Sequence, residues 1–133
     1  KDIGIEKSSH FIGALSLVEI AEKLRQIDIL VLPSRSTPVW QEQFGRVLTE
    51  AMASKVVVVG SSSGAIPEII GDAGKIFPEG DVATLTTTLQ TLIDSPEMRY
   101  RLALQGYQRV NEHYTQERIA EKTVDLYLQL LTL

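Results

Sequence analysis

Two glutamates eight positions apart, Glu42 and Glu50, are the residues best suited to chemistry in this chain of 133 residues. Glu42 lies just before a predicted helix, and Glu50 lies about one and a half turns inside it, at the edge of an apolar face. A carboxylate accepts two hydrogen bonds from a diol well, because neighbouring sugar hydroxyls are donors at a matching separation. One glutamate is therefore suited to a hexose and the other to a ribose, with a diphosphate on the helix amides between them.

Simpler roles for the same two carboxylates stay open at this point. Glu42 is also placed to cap the helix and to complement its dipole. Glu50 is also placed to pair with Arg46, one turn earlier on the same helix. Because charged residues usually lie on solvated faces, the spacing alone does not choose between ligand binding and these structural roles.

Three loops are expected to bind the ligand, since open parallel sheets bind ligands beyond the carboxyl ends of their strands. They run over residues 33–44, 61–65 and 78–80. The first is long for a loop between a strand and a helix. It leads to a helix start at Gly45, where free amides favour an anion and a glycine lets a ligand approach the backbone. The motif is neither a Walker loop nor a dinucleotide-binding turn.

A parallel α/β sheet is predicted to position these loops. The apolar runs at 28–33 and 56–60 lack polar alternation, which is typical of parallel strands buried on both faces. A third strand is predicted at Lys75–Phe77, and the crossover helix between the first two at Gly45–Ser54. Strand, helix and strand in this order predict a parallel sheet with helices packed outside it.

Side-chain caps mark the other predicted helices. Ser16 and Glu19 have the capping-box spacing at the start of a helix over 17–26. Asp81, Ser95 and Thr115 are predicted to cap helices over 82–94, 96–113 and 116–131. The residues predicted to face inward are Val82, Leu85, Leu89 and Leu92 on the first of these three helices, and Ile119, Thr123, Tyr127 and Leu130 on the last.

Composition excludes several classes of protein. Apolar residues make up 44% of the chain and charged residues 23%, which is typical of a globular protein rather than a disordered one. The net charge of −4 is unlike that of a nucleic-acid-binding protein. The absence of cysteine excludes disulfides, thiolate zinc sites and cysteine nucleophiles. The apolar runs are too short for a membrane span.

The chain also resembles family 4 of the retaining glycosyltransferases. The resemblance covers nearly all 133 residues and includes two glutamates with seven residues between them, at Glu42 and Glu50. The motifs occur in the order and spacing of the family. They are Phe11–Gly13, Asp28–Ser34, Glu42–Ala53, Ser63–Glu68 and Gly74–Pro78.

The resemblance implies an α/β, Rossmann-like donor-binding domain, the carboxy-terminal half of a GT-B enzyme that transfers a hexose from a nucleotide-diphosphate sugar with retention. It implies a catalytic role for Glu42 at the donor sugar and a ribose contact for Glu50. The amides of Phe44, Gly45 and Arg46 are expected to face the sugar and diphosphate. A second donor contact is expected from the loop of Ser63, Gly64 and Ala65. Neither a metal nor another cofactor is implied.

The departures from the family pattern lie at the sugar pocket and before the first residue. Gln43 stands where the family usually has glycine, and Ala65 where it usually has a second glycine, so both crowd the pocket. The chain begins with Lys1 and is interpreted as a partial domain, 1–133. The first strands of the domain, a basic pair for the diphosphate and the amino-terminal domain with the acceptor site are expected upstream. The piece alone is expected to bind donor weakly and to catalyse nothing.

The same reasoning predicts an exposed sheet edge. The family places a strand near 10–13 apart from the strand at Ile29–Leu32, with two earlier strands between them. An apolar, unpaired edge favours association. Residues 1–13 are therefore predicted to repack, or a second copy of the chain to cover the gap.

Two other functions remain open because a fold does not determine a function. One is a sugar-nucleotide epimerase or hydrolase of the same architecture. The other is a non-catalytic nucleotide-binding or sugar-binding module. The longer protein is expected in the cytoplasm, with membrane contact through its other domain. The residues do not identify the base, the sugar or the acceptor.

Overall fold

The computed structural model describes residues 4–132, which form a three-stranded parallel sheet with helices on both faces. A single 3-10 turn at Glu6–Ser8 precedes the first helix. The strands are β1 (Ile29–Leu32), β2 (Val57–Ser61) and β3 (Lys75–Phe77). The helices are α1 (Leu17–Leu24), α2 (Arg46–Ala53), α3 (Ile66–Ile70), α4 (Val82–Asp94), α5 (Pro96–His113) and α6 (Gln116–Leu131).

The order of the strands in the sheet is β1-β2-β3, so that β2 is central. Ile29 is in register with Val57, and Val59 with Lys75. All five residues of β2 are buried, as its run of valines predicts. Each residue of β1 is only half-buried. The prediction that β1 packs on both faces is confirmed, since Leu30 and Leu32 pack against one core and Ile29 and Val31 against the other. Its residues are less buried than those of β2 because β1 lies at an edge of the described sheet.

Alternate valines of the central strand point into two separate cores. Val58, with Val56 just before the strand, packs against α2 and α3 through Leu48, Met52 and Ile66. On the other face, Val57 and Val59 pack with Phe77 from β3, Leu92 from α4 and Leu102 from α5. This two-sided burial explains why the run carries no polar residue.

The predicted helix starts are confirmed by their caps. Ser16 and Glu19 form a full capping box, with the Ser16 amide 2.8 Å from a Glu19 carboxylate oxygen. Asp81 accepts from the Thr84 amide at 2.9 Å, and Ser95 and Thr115 cap α5 and α6 in the same way. The helix α1 ends at Leu24, two residues before the predicted end.

The predicted inward face of α4 is confirmed at Leu85, Leu89 and Leu92, which belong to or pack against the second core. Val82, the first residue of α4, is the exception among the four predicted residues and is 68% exposed. The predicted inward face of α6 is wrong. The predicted stripe on α6 is exposed throughout, since α6 contacts α5 but buries none of its own residues.

The structure of residues 4–13 differs from two further expectations. No strand forms near 10–13, and Phe11 is fully exposed. Almost all of this segment is exposed, so it does not repack over β1. Residues 1–3 lie outside the described part of the chain. Cover of the β1 edge by a second copy stays a prediction. None of the helices within residues 4–132 is both long and apolar enough to cross a membrane.

Candidate functional site

Three loops meet at the carboxyl edge of the sheet, as predicted. We call residues 33–45 the first loop, 62–65 the second and 78–81 the third. The Ser61 hydroxyl donates to the Ser34 carbonyl at 2.6 Å, and the Ala65 amide donates to the Glu42 carbonyl at 3.0 Å. The Ser62 amide donates to the Phe77 carbonyl at 2.9 Å. These hydrogen bonds join the first loop to the end of β2 and to the second loop, and the second loop to the end of β3.

Glu42 is half-buried, and both of its carboxylate oxygens are engaged. One accepts from the Gly45 amide at 3.1 Å, and the other accepts from the Ser34 hydroxyl at 3.1 Å. Glu42 thus bonds the amide of Gly45, the residue before α2, but does not cap the amides of the helix's first turn. Because each carboxylate oxygen has two lone pairs, these bonds hold the group in position and leave capacity for further donors.

A cavity of about 500 Å³ opens beside Glu42. It is polar, since carboxylate, amide and hydroxyl groups of two loops converge on it. Trp40, which is half exposed, forms part of its rim. The lining residues are Val39, Trp40, Gln41, Glu42, Gln43, Ser62, Gly64 and Ala65.

Gly45 has a structural role that the sequence analysis did not assign to it. It is buried, with a φ of 70°, and a Cβ there would lie 3.0 Å from Leu48 and 3.1 Å from Leu32. The glycine is thus required by a left-handed turn and by core packing. Its amide is already bonded to Glu42.

The amides of Phe44 and Arg46 donate to no acceptor within residues 4–132, so of the three predicted amides these two are available to a ligand. The Phe44 ring packs edge-on against Tyr114, with centroids 5.8 Å apart. This contact fixes the end of the first loop against the end of α5. The Arg46 side chain is largely exposed.

The Glu50 side chain is 29% exposed and forms the ion pair with Arg46 that the sequence left open as an alternative to ligand binding. Its carboxylate lies 3.0 Å from Arg46 Nε. It lines a smaller cavity, of about 230 Å³, between α1 and α2. The structure therefore does not bring Glu42 and Glu50 into one cavity; each lines a cavity of its own.

The second loop packs tightly on the first. Gly64 has a φ of 51°, and a Cβ there would overlap the carbonyl oxygen of Glu42. Ser63 is fully buried, and its hydroxyl lies 3.0 Å from the Ser36 hydroxyl. Gly64 and Ala65 reach the cavity beside Glu42, whereas Ser63 faces the interior.

Sequence reasoning missed the pair formed by Ser36 and Glu79. The Ser36 amide and hydroxyl donate to the two carboxylate oxygens of Glu79, at 2.7 and 2.8 Å. These bonds, with a smaller contribution from the charge of Arg35, hold the pKa of Glu79 below its ordinary value. The two residues are 43 positions apart, and no local pattern pairs them.

A further cavity within residues 4–132 contains none of the candidate site residues. A cavity of about 590 Å³ follows the outer side of α5, from Ser95 to Gln108, away from the sheet's carboxyl edge. No group of three or more His, Asp or Glu side chains in the described chain is arranged to hold a metal ion.

A family model and several known proteins match most of this chain. Residues 1–109 match the family model described as glycosyl transferases group 1. The chain is 33% identical over 129 residues to MMP alpha-(1->4)-mannosyltransferase of Mycolicibacterium hassiacum, covering 95% of this chain and 30% of that protein. It is 30% identical over 133 residues to N-acetyl-alpha-D-glucosaminyl L-malate synthase of Bacillus anthracis, covering 98% and 33%. The chain thus spans about a third of these relatives.

Solved structures confirm the Rossmann-like fold class. Sucrose-phosphate synthase from Thermosynechococcus elongatus superposes with a TM-score of 0.82 at 26% identity, covering 96% of this chain and 31% of that one. The C-terminal domain of a glycosyl transferase group 1 family protein from Francisella tularensis superposes with a TM-score of 0.66 at 32% identity, covering 81% and 53%.

Proposed function

The chain belongs to the glycosyl transferases of group 1, and on that premise we propose that it is the donor-binding part of a longer retaining enzyme. That enzyme transfers a hexose from a nucleotide-diphosphate sugar to an acceptor. The relatives and neighbours reported above are named as transferases or synthases, which favours transfer over epimerisation or simple binding. The observation that carries the proposal is the position of Glu42, fixed by two hydrogen bonds at the polar cavity on the carboxyl edge of the sheet.

Glu42 is proposed as the catalytic residue at the donor sugar. Its carboxylate keeps free acceptor capacity beside a cavity wide enough for a hexose. The bonds from Ser34 and Gly45 fix its orientation before the donor arrives, so that little ordering is left to occur on binding. Gln43 and Ala65 narrow the same cavity and are proposed to restrict which sugars enter it.

Glu50 is proposed to hold the ribose. Glu50 is four residues after Arg46, the first residue of α2. At the rise per residue of an α-helix, this places it about 6 Å along the helix axis from that residue. A ligand that spans both cavities must therefore pass over the first turn of α2. That turn offers the open amides of Phe44 and Arg46 together with the positive end of the helix dipole, which suit a diphosphate.

Arg46 is proposed to exchange partners when the donor binds. In this structure its guanidinium pairs with Glu50, and its side chain is 75% exposed. An exposed ion pair of this kind is weak and is readily broken. Transfer of Arg46 to the diphosphate would free the Glu50 carboxylate for the two ribose hydroxyls.

The test is calorimetry and turnover of the full-length protein with uridine, guanosine and adenosine diphosphate sugars. Glu42→Gln should lower turnover more than donor affinity, whereas Glu50→Gln should weaken donor binding about tenfold or more, the effect of losing a hydrogen bond to a charged group. Glu22→Gln, an exposed change on α1 without a partner in the described structure, is the control. Unchanged turnover in Glu42→Gln would refute the catalytic assignment, and unchanged donor binding in Glu50→Gln would refute the ribose contact.

The anomeric outcome needs a separate measurement. Proton NMR of the product at short reaction times should show the anomeric configuration of the donor. The inverted anomer would refute retention while leaving donor binding intact. The proposal includes no metal, so turnover should be unchanged after treatment with a chelator.

We also propose that the acceptor is bound by another domain, across a cleft from the Glu42 cavity. The 133 residues alone should then bind donor weakly and transfer nothing. Measurable transfer by them would refute the proposal that another domain binds the acceptor. The longer protein is proposed to act in the cytoplasm, touching a membrane through the other domain. Cell fractionation of the full-length protein tests that location.

A further inference from the structure

Glu79 holds the first loop through two charge-assisted hydrogen bonds. Its two carboxylate oxygens receive the amide and the hydroxyl of Ser36, at 2.7 and 2.8 Å. Its own amide donates to the Ser62 hydroxyl at 3.1 Å. A residue of the third loop is therefore bonded to the first and the second loops at once. We call the Ser36–Glu79 contact the clamp.

The clamp is connected to Glu42 through a short stretch of backbone. Ser34 lies two residues before Ser36, and its hydroxyl donates to Glu42. The Ser34 carbonyl accepts from Ser61 at the end of β2. The position of the Glu42 carboxylate thus depends on where the segment 34–36 lies, and the clamp is one of the contacts that set this.

Residues 37–41 of the first loop have little else to order them. Residues 37–41 are all exposed, and Val39 is 94% exposed, so that hydrophobic burial contributes little. Thr37 and Trp40 pair with each other across a tight turn, which shapes the loop tip without attaching it to the sheet. A polar contact is therefore the main attachment of this part of the loop to the third loop.

We propose that Glu79 is a positioning residue, which orients Glu42 by clamping Ser36 and with it the first loop. This inference rests on the proposed function only in giving Glu42 a role at the donor sugar. A carboxylate suits this contact because it offers a separate, negatively charged oxygen to each Ser36 donor, whereas the amide of glutamine offers one uncharged acceptor oxygen for both. The lowered pKa of Glu79 keeps the group ionised at neutral pH.

Amide hydrogen exchange in the full-length protein tests the clamp without reference to any substrate. Glu79→Gln should speed exchange at the Ser36 amide at least about tenfold, since that amide loses a charge-assisted bond. Glu22→Gln should leave it unchanged. Equal exchange in wild type and Glu79→Gln would overturn the clamp, whatever the protein's function.

A double-mutant cycle tests whether Glu79 acts through Glu42. Alone, Glu79→Gln should lower kcat roughly tenfold or more with little change in the KM for donor, as a small displacement of a reacting group does. In a Glu42→Gln background, the same change should have no further effect, because the residue it positions is already lost. Equal losses in both backgrounds would mean a merely structural role and would overturn the proposal.

Failure of the proposed function gives a different result. The wild-type protein would then turn over no nucleotide sugar, and the cycle would have no starting rate. The exchange experiment would still decide whether Glu79 orders the first loop. Glu79→Asp is a further check, because its shorter carboxylate keeps the charge and should recover part of the rate lost in Glu79→Gln.

Discussion

Gly64 brings the second loop against the backbone of Glu42. Its φ of 51° is left-handed, and a Cβ would overlap the Glu42 carbonyl oxygen. We expect Gly64→Ala to lower the free energy of unfolding by about 2–4 kcal/mol, because left-handed strain of roughly 1–2 kcal/mol adds to displacement of a packed backbone. Urea unfolding followed by circular dichroism measures the loss, and calorimetry should show weaker donor binding.

Gly13→Ala is the matched control for that change. Gly13 has a φ of 76°, and a Cβ there would meet nothing within 4 Å. It therefore carries the strain of a left-handed alanine without the overlap. If the two variants were destabilised equally, backbone strain alone would explain Gly64, and close packing of the loops would not.

Glu79 should make the order of the first loop sensitive to acid. Hydrogen bonds from Ser36, with a lesser effect of the charge of Arg35, hold the pKa of Glu79 below its ordinary value. A lowered pKa in the folded state means that the stabilisation is complete above the unfolded pKa of about 4.3 and is lost as pH falls through the folded pKa. Loop order should therefore be constant near neutrality and decline below about pH 4.

The measurement is an NMR titration of the Glu79 carboxyl carbon. In Ser36→Ala, which keeps the amide donor and loses the hydroxyl, the pKa should move part of the way back toward the ordinary value. Identical titration curves for the two proteins would contradict the assigned cause.

The candidate residues were predictable where the signal is local. The spacing of Glu42 and Glu50 around a helix start was visible in the sequence, and so was the ion pair that Glu50 makes with Arg46. Their separation into two cavities was not, because it depends on how α1 packs against α2. Glu79 carries no local signal, since its partner lies on another loop 43 residues away.

Arg109 ties α5 to the end of α3. Its guanidinium donates to the carbonyls of Ile69 and Glu68, at 2.8 and 2.7 Å, and lies over the Tyr114 ring. Because α3 has only five residues, its carbonyls depend on partners outside the helix. We expect Arg109→Lys to lower the free energy of unfolding by about 1–3 kcal/mol, since lysine cannot reproduce the planar two-donor contact. Urea unfolding measures this.

Arg101→Lys is the control within the same helix. Arg101 is exposed and has no bonded partner among residues 4–132. Its substitution should change stability by less than about 0.5 kcal/mol, as is usual at such surface positions. An equal loss in the two variants would point to a general preference for arginine in α5 rather than to the attachment of α3.

The helices illustrate which features of an element its own sequence determines. The starts of α1, α4, α5 and α6 were predicted because a cap is a contact within four residues. The inward face of α6 was not predicted correctly. Periodicity identifies an apolar face, but whether another element covers that face depends on the tertiary arrangement.

The chain as a whole was recognisable because its motifs are spread over nearly its full length, and the match of the family model to residues 1–109 confirms that recognition. The two-sided burial of β2 also followed from its unbroken run of valines. The specific donor did not follow. Its selection depends on the shape of the cavities, and loops that are distant in sequence form them.

The open edge of β1 should lead the isolated chain to self-associate. Within residues 4–132 no strand pairs with the side of β1 opposite β2, and residues 4–13 do not cover it. In the parallel register, Asp28 bonds to β2 through its carbonyl, so the amides of Ile29 and Val31 point to the open side. Half-buried apolar strands with unpaired amides are templates for pairing.

Light scattering of the 133-residue chain should therefore show a mass that rises with concentration, and the exchange of the Ile29 and Val31 amides should slow over the same range. The Leu30 amide, which points to β2 in this register, is the internal control and should exchange slowly throughout. A constant monomer mass with fast exchange at both edge amides would show that the edge stays open in solution. Association without slower exchange at Ile29 and Val31 would place the contact elsewhere, with the exposed apolar residues of α6 as the next surface to examine.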